Sequence, residues 1–146
     1  MFPRGSGPFL FFVAAFGLVV LYQYMGQERQ IDADAIASRD PWFEQNIQHA
    51  TEPVLVKFGA DWCGPCRSLD ETLQTVGPRF QGRMKVLRVD VDKQFDLAQT
   101  FGVSAIPHSF ILYQGRIVDS RRGSMAKDTL EAWMEQGLKE AYQTSP

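Results

Sequence analysis

The longest apolar stretch of the chain lies near its N-terminus. The 23 residues Gly5–Gln27 carry no charge, and the most apolar part of them is Phe9–Tyr22. A run of about 20 apolar residues can cross a bilayer, whereas one of about 10–14 also suits a secretory signal. No small-x-small cleavage pattern follows closely, and Tyr22 and Tyr24 stand where interfacial aromatic residues are common. We therefore predict residues 1–26 as an uncleaved signal-anchor transmembrane helix, with a cleaved signal or a buried helix of a soluble protein as the alternatives.

The flanking charges predict the orientation of this segment. Arg4 precedes it, while Glu28 and Arg29 nearly cancel on the far side. Positive charge favours the cytoplasmic side, so the rest of the chain is expected outside the cytoplasm, on the periplasmic side. Residues 27–40 are polar without sustained periodicity and are interpreted as a linker.

From residue 41 onward, helical spacings and short apolar runs alternate. The predicted helices are Pro41–Ala50, Arg67–Phe80, Lys93–Phe101 and Ala126–Tyr142, and the predicted strands are Val54–Phe58, Lys85–Val91, Ser109–Tyr113 and Arg116–Ser120. The last two strands flank Gln114-Gly115, which is typical of a tight hairpin. The order α-β-α-β-α-β-β-α predicts an α/β domain over residues 41–142, with a central mixed sheet flanked by helices. Residues 143–146 remain as a tail.

Composition narrows the classes of function. The 146 residues have a formal net charge of −2, so a chain-wide basic field for nucleic acid is absent. Two cysteines cannot build a disulfide-rich scaffold or a four-cysteine zinc site. A mildly acidic domain of this length is expected to bury one core. The protein is expected to be a monomer.

The two cysteines form the centre of the candidate chemistry. They lie in Trp62-Cys63-Gly64-Pro65-Cys66, between a predicted strand and a predicted helix. A helix N-terminus favours thiolate, the nucleophile of disulfide exchange, so Cys63 is assigned as the attacking thiol and Cys66 as the resolving thiol. Gly64 permits a close approach, and Pro65 fixes φ where its missing N–H costs little. The redox group is this cysteine pair, and no bound cofactor is expected.

Two runs, VLVKFGADWCGPCR and FGVSAIPHSFILYQGR, resemble the thioredoxin family over roughly residues 41–142. The resemblance implies a thioredoxin-like fold and dithiol–disulfide exchange with protein substrates. It implies a cis peptide at Ile106-Pro107, beside the sulfurs, with the Ile106 backbone pairing with an extended substrate segment. It also places Gly123 near the substrate groove, and Trp62 partly exposed against the active site.

Two positions depart from the family pattern. Lys57 stands six residues before Cys63, where the family usually has a buried acid that relays protons to and from the resolving thiol. His108 follows the proline where the family usually has Thr, and we count it with the substrate-binding residues. Lys57 is expected near Cys66, either reaching solvent or paired with a carboxylate, for which Asp90 and Asp61 are the candidates.

The protonation of Lys57 would decide its effect on the dithiol. A neutral amine could accept a proton from Cys66, whereas a charged one would stabilise the thiolate. We predict the charged form and a more oxidising couple than in a thioredoxin with a buried acid.

Other interpretations of the cysteine pair remain. Adding His49 and His108 would give four metal ligands, but the spacing is not finger-like, so no metal site is predicted. A structural disulfide on a tethered binding or chaperone module would resist mild reductants. A dedicated apocytochrome c thiol reductant would be expected to carry an acidic residue inside C-x-x-C and an insertion before the proline, and neither is present.

The preferred hypothesis is a membrane-anchored thiol–disulfide oxidoreductase. It would act on protein substrates with disulfides or thiols, and would receive electrons from an integral-membrane thiol relay.

Overall fold

The structure, a computed structural model, describes residues 40–143. The predicted transmembrane segment 1–26 and most of the linker 27–40 lie outside the described residues, as does most of the tail. Among the residues that are described, no helix has the length and apolar character that crossing a membrane requires. The helices are α1 (Pro41–Phe43, continued as the π-helical turn Glu44–Gln48), α2 (Gly64–Val76, continued as the 3-10 turn Gly77–Phe80), α3 (Phe95–Thr100) and α4 (Lys127–Gln143). The strands are β1 (Val54–Gly59), β2 (Lys85–Asp90), β3 (His108–Tyr113) and β4 (Arg116–Arg122).

The predicted order of elements is confirmed, and the boundaries shift by a few residues. The largest shift is at α2, which begins at Gly64 rather than at Arg67 because the cysteine motif itself forms the first turn. Gly77-Pro78 ends the regular α-helix, and the chain continues as the 3-10 turn. At α1, Asp40 is the N-cap residue, and its carboxylate accepts hydrogen bonds from the backbone N–H groups of residues 42 and 43.

The sheet has four strands in the order β2-β1-β3-β4 among the described residues. β1 runs parallel to β2 and antiparallel to β3, and β3 pairs antiparallel with β4, so the sheet is mixed as predicted. A parallel pair needs a crossover connection, and α2 supplies it. β1 is therefore an interior strand, and its carboxyl end leads directly into the cysteine motif.

A hydrophobic cluster covers each face of the sheet. Side chains of a strand alternate between faces, so Val54, Val56 and Phe58 pack in one cluster while Leu55 packs in the other. The first cluster is aromatic: the Phe58 ring centroid lies 5.1 Å from that of Phe101 and 5.6 Å from that of Phe110. All six residues of β1 are buried, including the charged Lys57.

Candidate active site

Cys63 and Cys66 form a disulfide at the N-terminus of α2. Cys63 is the N-cap residue of the helix, with extended backbone angles, and its Sγ accepts a hydrogen bond from the Cys66 N–H at 3.2 Å. Gly64 and Pro65 occupy the first turn between the two cysteines, where the Pro65 nitrogen has no helical partner to lose. The Cys66 N–H and the positive end of the helix dipole therefore both act on Cys63 Sγ. This arrangement favours negative charge on Cys63.

The two sulfurs differ in their access to solvent. Cys63 is 5% exposed and Cys66 is fully buried, so an incoming disulfide meets Cys63 first. Trp62 stands next to Cys63 with 69% of its surface exposed, and its indole N–H donates to the Asp92 carboxylate at 2.9 Å. Asp61 takes part through its backbone, since its carbonyl oxygen accepts a hydrogen bond from the Arg67 guanidinium at 2.8 Å.

The segment before β3 lies at the same edge of the sheet as the disulfide. His108, the first residue of β3, pairs with Phe58 near the end of β1, so Pro107 comes just beyond that end. The Ile106-Pro107 peptide is cis, as the resemblance implied. The Gly123 N–H donates to the Pro107 carbonyl oxygen at 2.8 Å, with Gly123 at a φ of 86°, a conformation that favours glycine. Ile106 is half-buried, and its role and that of Gly123 in substrate binding stay predictions.

Lys57 is buried beside Cys66, and its partner differs from both predicted candidates. Its ammonium lies 2.9 Å from Oδ2 of Asp70, on α2, rather than next to Asp90 or Asp61. Gly59 makes room for this amine: a Cβ at Gly59 would lie 2.7 Å from Lys57 Nζ and 3.1 Å from Cys66 Sγ. Any larger residue at position 59 would therefore displace the amine, the sulfur or both.

Asp90 pairs elsewhere, at the surface end of β2. Its carboxylate lies 2.9 Å from Lys93 Nζ and accepts the Asp92 N–H at 3.1 Å. The Lys93 hydrogen bond, followed by that backbone N–H, lowers the pKa of Asp90 below its ordinary value. The carboxylate thus holds the loop that presents Asp92 to Trp62.

Asp70 is a site residue that sequence reasoning missed. It stands four residues after Cys66, so the two share one face of α2, and this spacing is the signal that could have identified it.

His108 is buried on the aromatic face of the sheet, away from Lys57. Its ring centroid lies 4.1 Å from that of Phe110. Burial, and secondarily the nearby Arg122 guanidinium, lower the pKa of His108 below its ordinary value. His49, the other histidine of the metal interpretation, lies 3.6 Å from Glu44 at the end of α1. Within residues 40–143, no three His, Cys, Asp or Glu side chains cluster in a way that could hold a metal ion.

We expect His108 to make the domain less stable in mild acid. Because its pKa is lowered in the folded state, the unfolded chain binds more protons as the pH falls below about 6.5, and folding loses free energy there. Urea unfolding at pH 7.5 and pH 5 should show a smaller fall in midpoint for His108→Gln than for the wild type. Equal falls in the two proteins would contradict this assignment.

Comparison with known proteins agrees with this geometry. The thioredoxin family model matches residues 34–136. Thioredoxin from Pseudomonas aeruginosa is 32% identical over 99 residues, which are 68% of this chain and 92% of the relative. Thioredoxin 1 from Nostoc sp. is 34% identical over 99 residues, with the same coverage. Mitochondrial thioredoxin from Bos taurus is 36% identical over 95 residues, 65% of this chain and 57% of the relative.

Proposed function

Since the chain belongs to the thioredoxin family and is a thiol–disulfide oxidoreductase, we propose that it performs this exchange as a membrane-anchored protein. The observation that carries the proposal is the uncharged run Gly5–Gln27, which precedes the family match at residue 34. By the charge rule applied to Arg4, the dithiol domain faces the periplasmic side.

The exchange proceeds in two displacements. The Cys63 thiolate attacks one sulfur of a substrate disulfide, forms a mixed disulfide and releases the other substrate sulfur as a thiolate, which takes up a proton. Cys66 then loses its proton and attacks the Cys63 sulfur, which releases the second substrate thiolate and forms the Cys63–Cys66 bond. Two electrons pass from the protein to the substrate. The helix N-terminus at Cys63 supports the first step, and the position of Cys66 one turn inside supports the second.

We place substrate recognition on the surface around the disulfide. Trp62 offers an exposed aromatic face, and the backbone of Ile106 would pair with an extended segment of the substrate, which is a form of strand addition. Gly123 presents no side chain beside Pro107, so a chain can approach closely there. His108 would support this surface from below as a buried residue.

The proposed location also determines which partner can reduce the protein. A dithiol outside the cytoplasm needs a reductant that reaches across the membrane, and an integral-membrane thiol relay has the required chemistry. No bound cofactor beyond the cysteine pair, no nucleic acid and no second copy of the chain enter the proposed reaction.

We expect the full chain to stay in the membrane pellet through washes with high salt and alkaline carbonate. Leu18→Arg, with its charge in the centre of the apolar run, should move a large part of the protein out of the pellet. Arginine at the centre of a spanning helix costs about 2.5–3.5 kcal/mol on insertion scales. Fractionation with an antibody against the C-terminal domain measures the distribution.

Leu18→Ile is the matched control and should fractionate as the wild type does. Mass spectrometry of the extracted protein should give a mass that includes residues 1–26. A mature N-terminus between Gln27 and Ser38 would contradict the anchor and support a cleaved signal.

A further inference from the structure

Two cations share one carboxylate on the helix that carries Cys66. Lys57 and Arg88 are partners in the parallel register of β1 and β2. Lys57 Nζ lies 2.9 Å from one oxygen of Asp70, and Arg88 Nε lies 2.9 Å from the other. The carboxylate is about a quarter exposed and Lys57 is 4% exposed, so solvent screens the lysine pair only weakly.

The Lys57 ammonium is also close to the buried sulfur. Both Lys57 Nζ and Cys66 Sγ lie near the point that a Cβ on Gly59 would occupy, so they are no farther apart than the sum of those distances, about 5.8 Å. Unit charges at this separation interact strongly where water is excluded. In the disulfide form the sulfur is neutral, and among the described residues Asp70 is the ion-pair partner of the ammonium.

We propose that Asp70 competes for the Lys57 ammonium with the thiolate of the reduced cysteine pair, which is on Cys63 at rest and on Cys66 when that residue attacks the mixed disulfide. Asp70 thereby sets the reduction potential of the Cys63–Cys66 couple. Asp70 touches no substrate and acts through Lys57, so it is a positioning residue. The inference deepens the thiol–disulfide exchange described above and rests on it.

Arg88 makes this competition possible. When the ammonium turns from Asp70 towards a thiolate, Arg88 still lies against the other carboxylate oxygen, so Asp70 keeps a counter-ion. Burying an unpaired charge costs far more free energy than exchanging one partner for another. The two cations therefore allow the lysine to change partners without leaving a bare carboxylate.

Besides Asp70, the Ser109 hydroxyl is a polar group on the same face of the sheet as the Lys57 side chain. It is directly opposite Lys57 in the antiparallel register, where Cβ atoms are about 4.5–5.5 Å apart. The Ser109 hydroxyl is buried, and no hydrogen-bond partner for it exists within the part of the chain that the structure describes. A rotating hydroxyl at this place can solvate the ammonium when it leaves Asp70.

The electron balance gives the sign of the effect. Two molecules of glutathione reduce the pair: the Cys63–Cys66 bond breaks, the S–S bond of glutathione disulfide forms, and two electrons pass to the protein sulfurs. Of the two thiol protons, one stays on the pair and one is released to solvent when one sulfur remains ionised. Stabilising that thiolate stabilises the reduced protein and raises its potential.

The test is glutathione equilibration at pH 7 of the full-length protein in detergent. Asp70→Asn frees the ammonium for the sulfur and should shift the equilibrium constant towards the reduced protein by about tenfold, or about 30 mV. Arg88→Gln leaves Asp70 with Lys57 alone, so it should shift the constant in the opposite direction. Lys57→Met should also favour the oxidised protein. In the Lys57→Met protein, Asp70→Asn should shift the constant by less than a third of the shift that it causes when Lys57 is present.

Glu135→Gln is the matched control, because Glu135 forms an ion pair with Arg83 at 2.8 Å outside the site. It should leave the constant unchanged. Shifts of Asp70→Asn and Arg88→Gln in the same direction, or shifts no larger than that of the control, would overturn the proposal. If Asp70→Asn does not fold, the sign of the Arg88→Gln shift still decides. Membrane attachment of each variant is scored separately, so failure of the anchor and failure of this inference are different results.

Discussion

Full-length protein with Cys66→Ser is expected to accumulate disulfide-linked adducts with other proteins, while its multiple-turnover reduction of insulin falls to background. Cys63 remains at the helix N-terminus with its activating surroundings, so the first displacement proceeds. The mixed disulfide then persists because no second thiol can attack it. Non-reducing gels of membranes, compared with the same samples after reduction, measure the adducts.

Cys63→Ser is the matched control. Serine is a favourable N-cap residue, so the first turn of α2 keeps its capping hydrogen bond from the Cys66 N–H. The remaining thiol, Cys66, is fully buried, so few adducts should form. Adducts of equal amount in both variants would contradict the assignment of roles. Their absence from both would favour a structural disulfide.

Phe58→Ala is expected to lower the free energy of unfolding by about 3–5 kcal/mol. Phe58 is fully buried and contacts the rings of Phe101 and Phe110, so truncation removes apolar contacts and leaves a cavity between the sheet and its helices. For a domain of about 100 residues this corresponds to a fall in Tm of more than about 10 °C. Thermal and urea unfolding of the purified protein measure the loss.

Phe95→Ala removes the same atoms from a position that is 62% exposed, and it should change stability by less than about 0.5 kcal/mol. If the two variants lost similar stability, the aromatic cluster would not be the main support of this face. Because Phe58 also pairs with His108 in the sheet, the large loss is expected to weaken the edge that carries Pro107.

The order of elements could be predicted because it depends on local patterns. The run at Val54 is apolar except for Lys57, and the run at Lys85 combines Val and Leu with charged residues over a strand length. Leu69, Leu73 and Val76 repeat at helical spacing. The cysteine motif and the cis peptide at Pro107 could be identified from their own residues and the family they resemble. These signals need no knowledge of how distant segments pack.

The ion pair of Lys57 could not be predicted in this way, because it depends on which face of β1 the helix α2 covers. The two candidates in the sequence, Asp61 and Asp90, are not the partners of Lys57. Because side chains along β1 alternate between the two faces of the sheet, Lys57 faces α2, where Asp70 lies one turn after Cys66. The partnership of Arg88 depends in turn on the register between two strands that are about 30 residues apart in sequence, which local patterns do not specify.

Strand β4 is an outer strand of the sheet among the described residues, so it could pair with a strand of another molecule. An unpaired strand edge can template aggregation when copies of a protein meet at high concentration. β4 discourages such pairing with Arg121 and Arg122 at its exposed end, and a register irregularity at Ile111/Leu112 interrupts its ladder with β3. Charge and a bulge are two recognised ways of blunting a strand edge. Both features therefore disfavour pairing of β4 with a strand of a second copy of the protein.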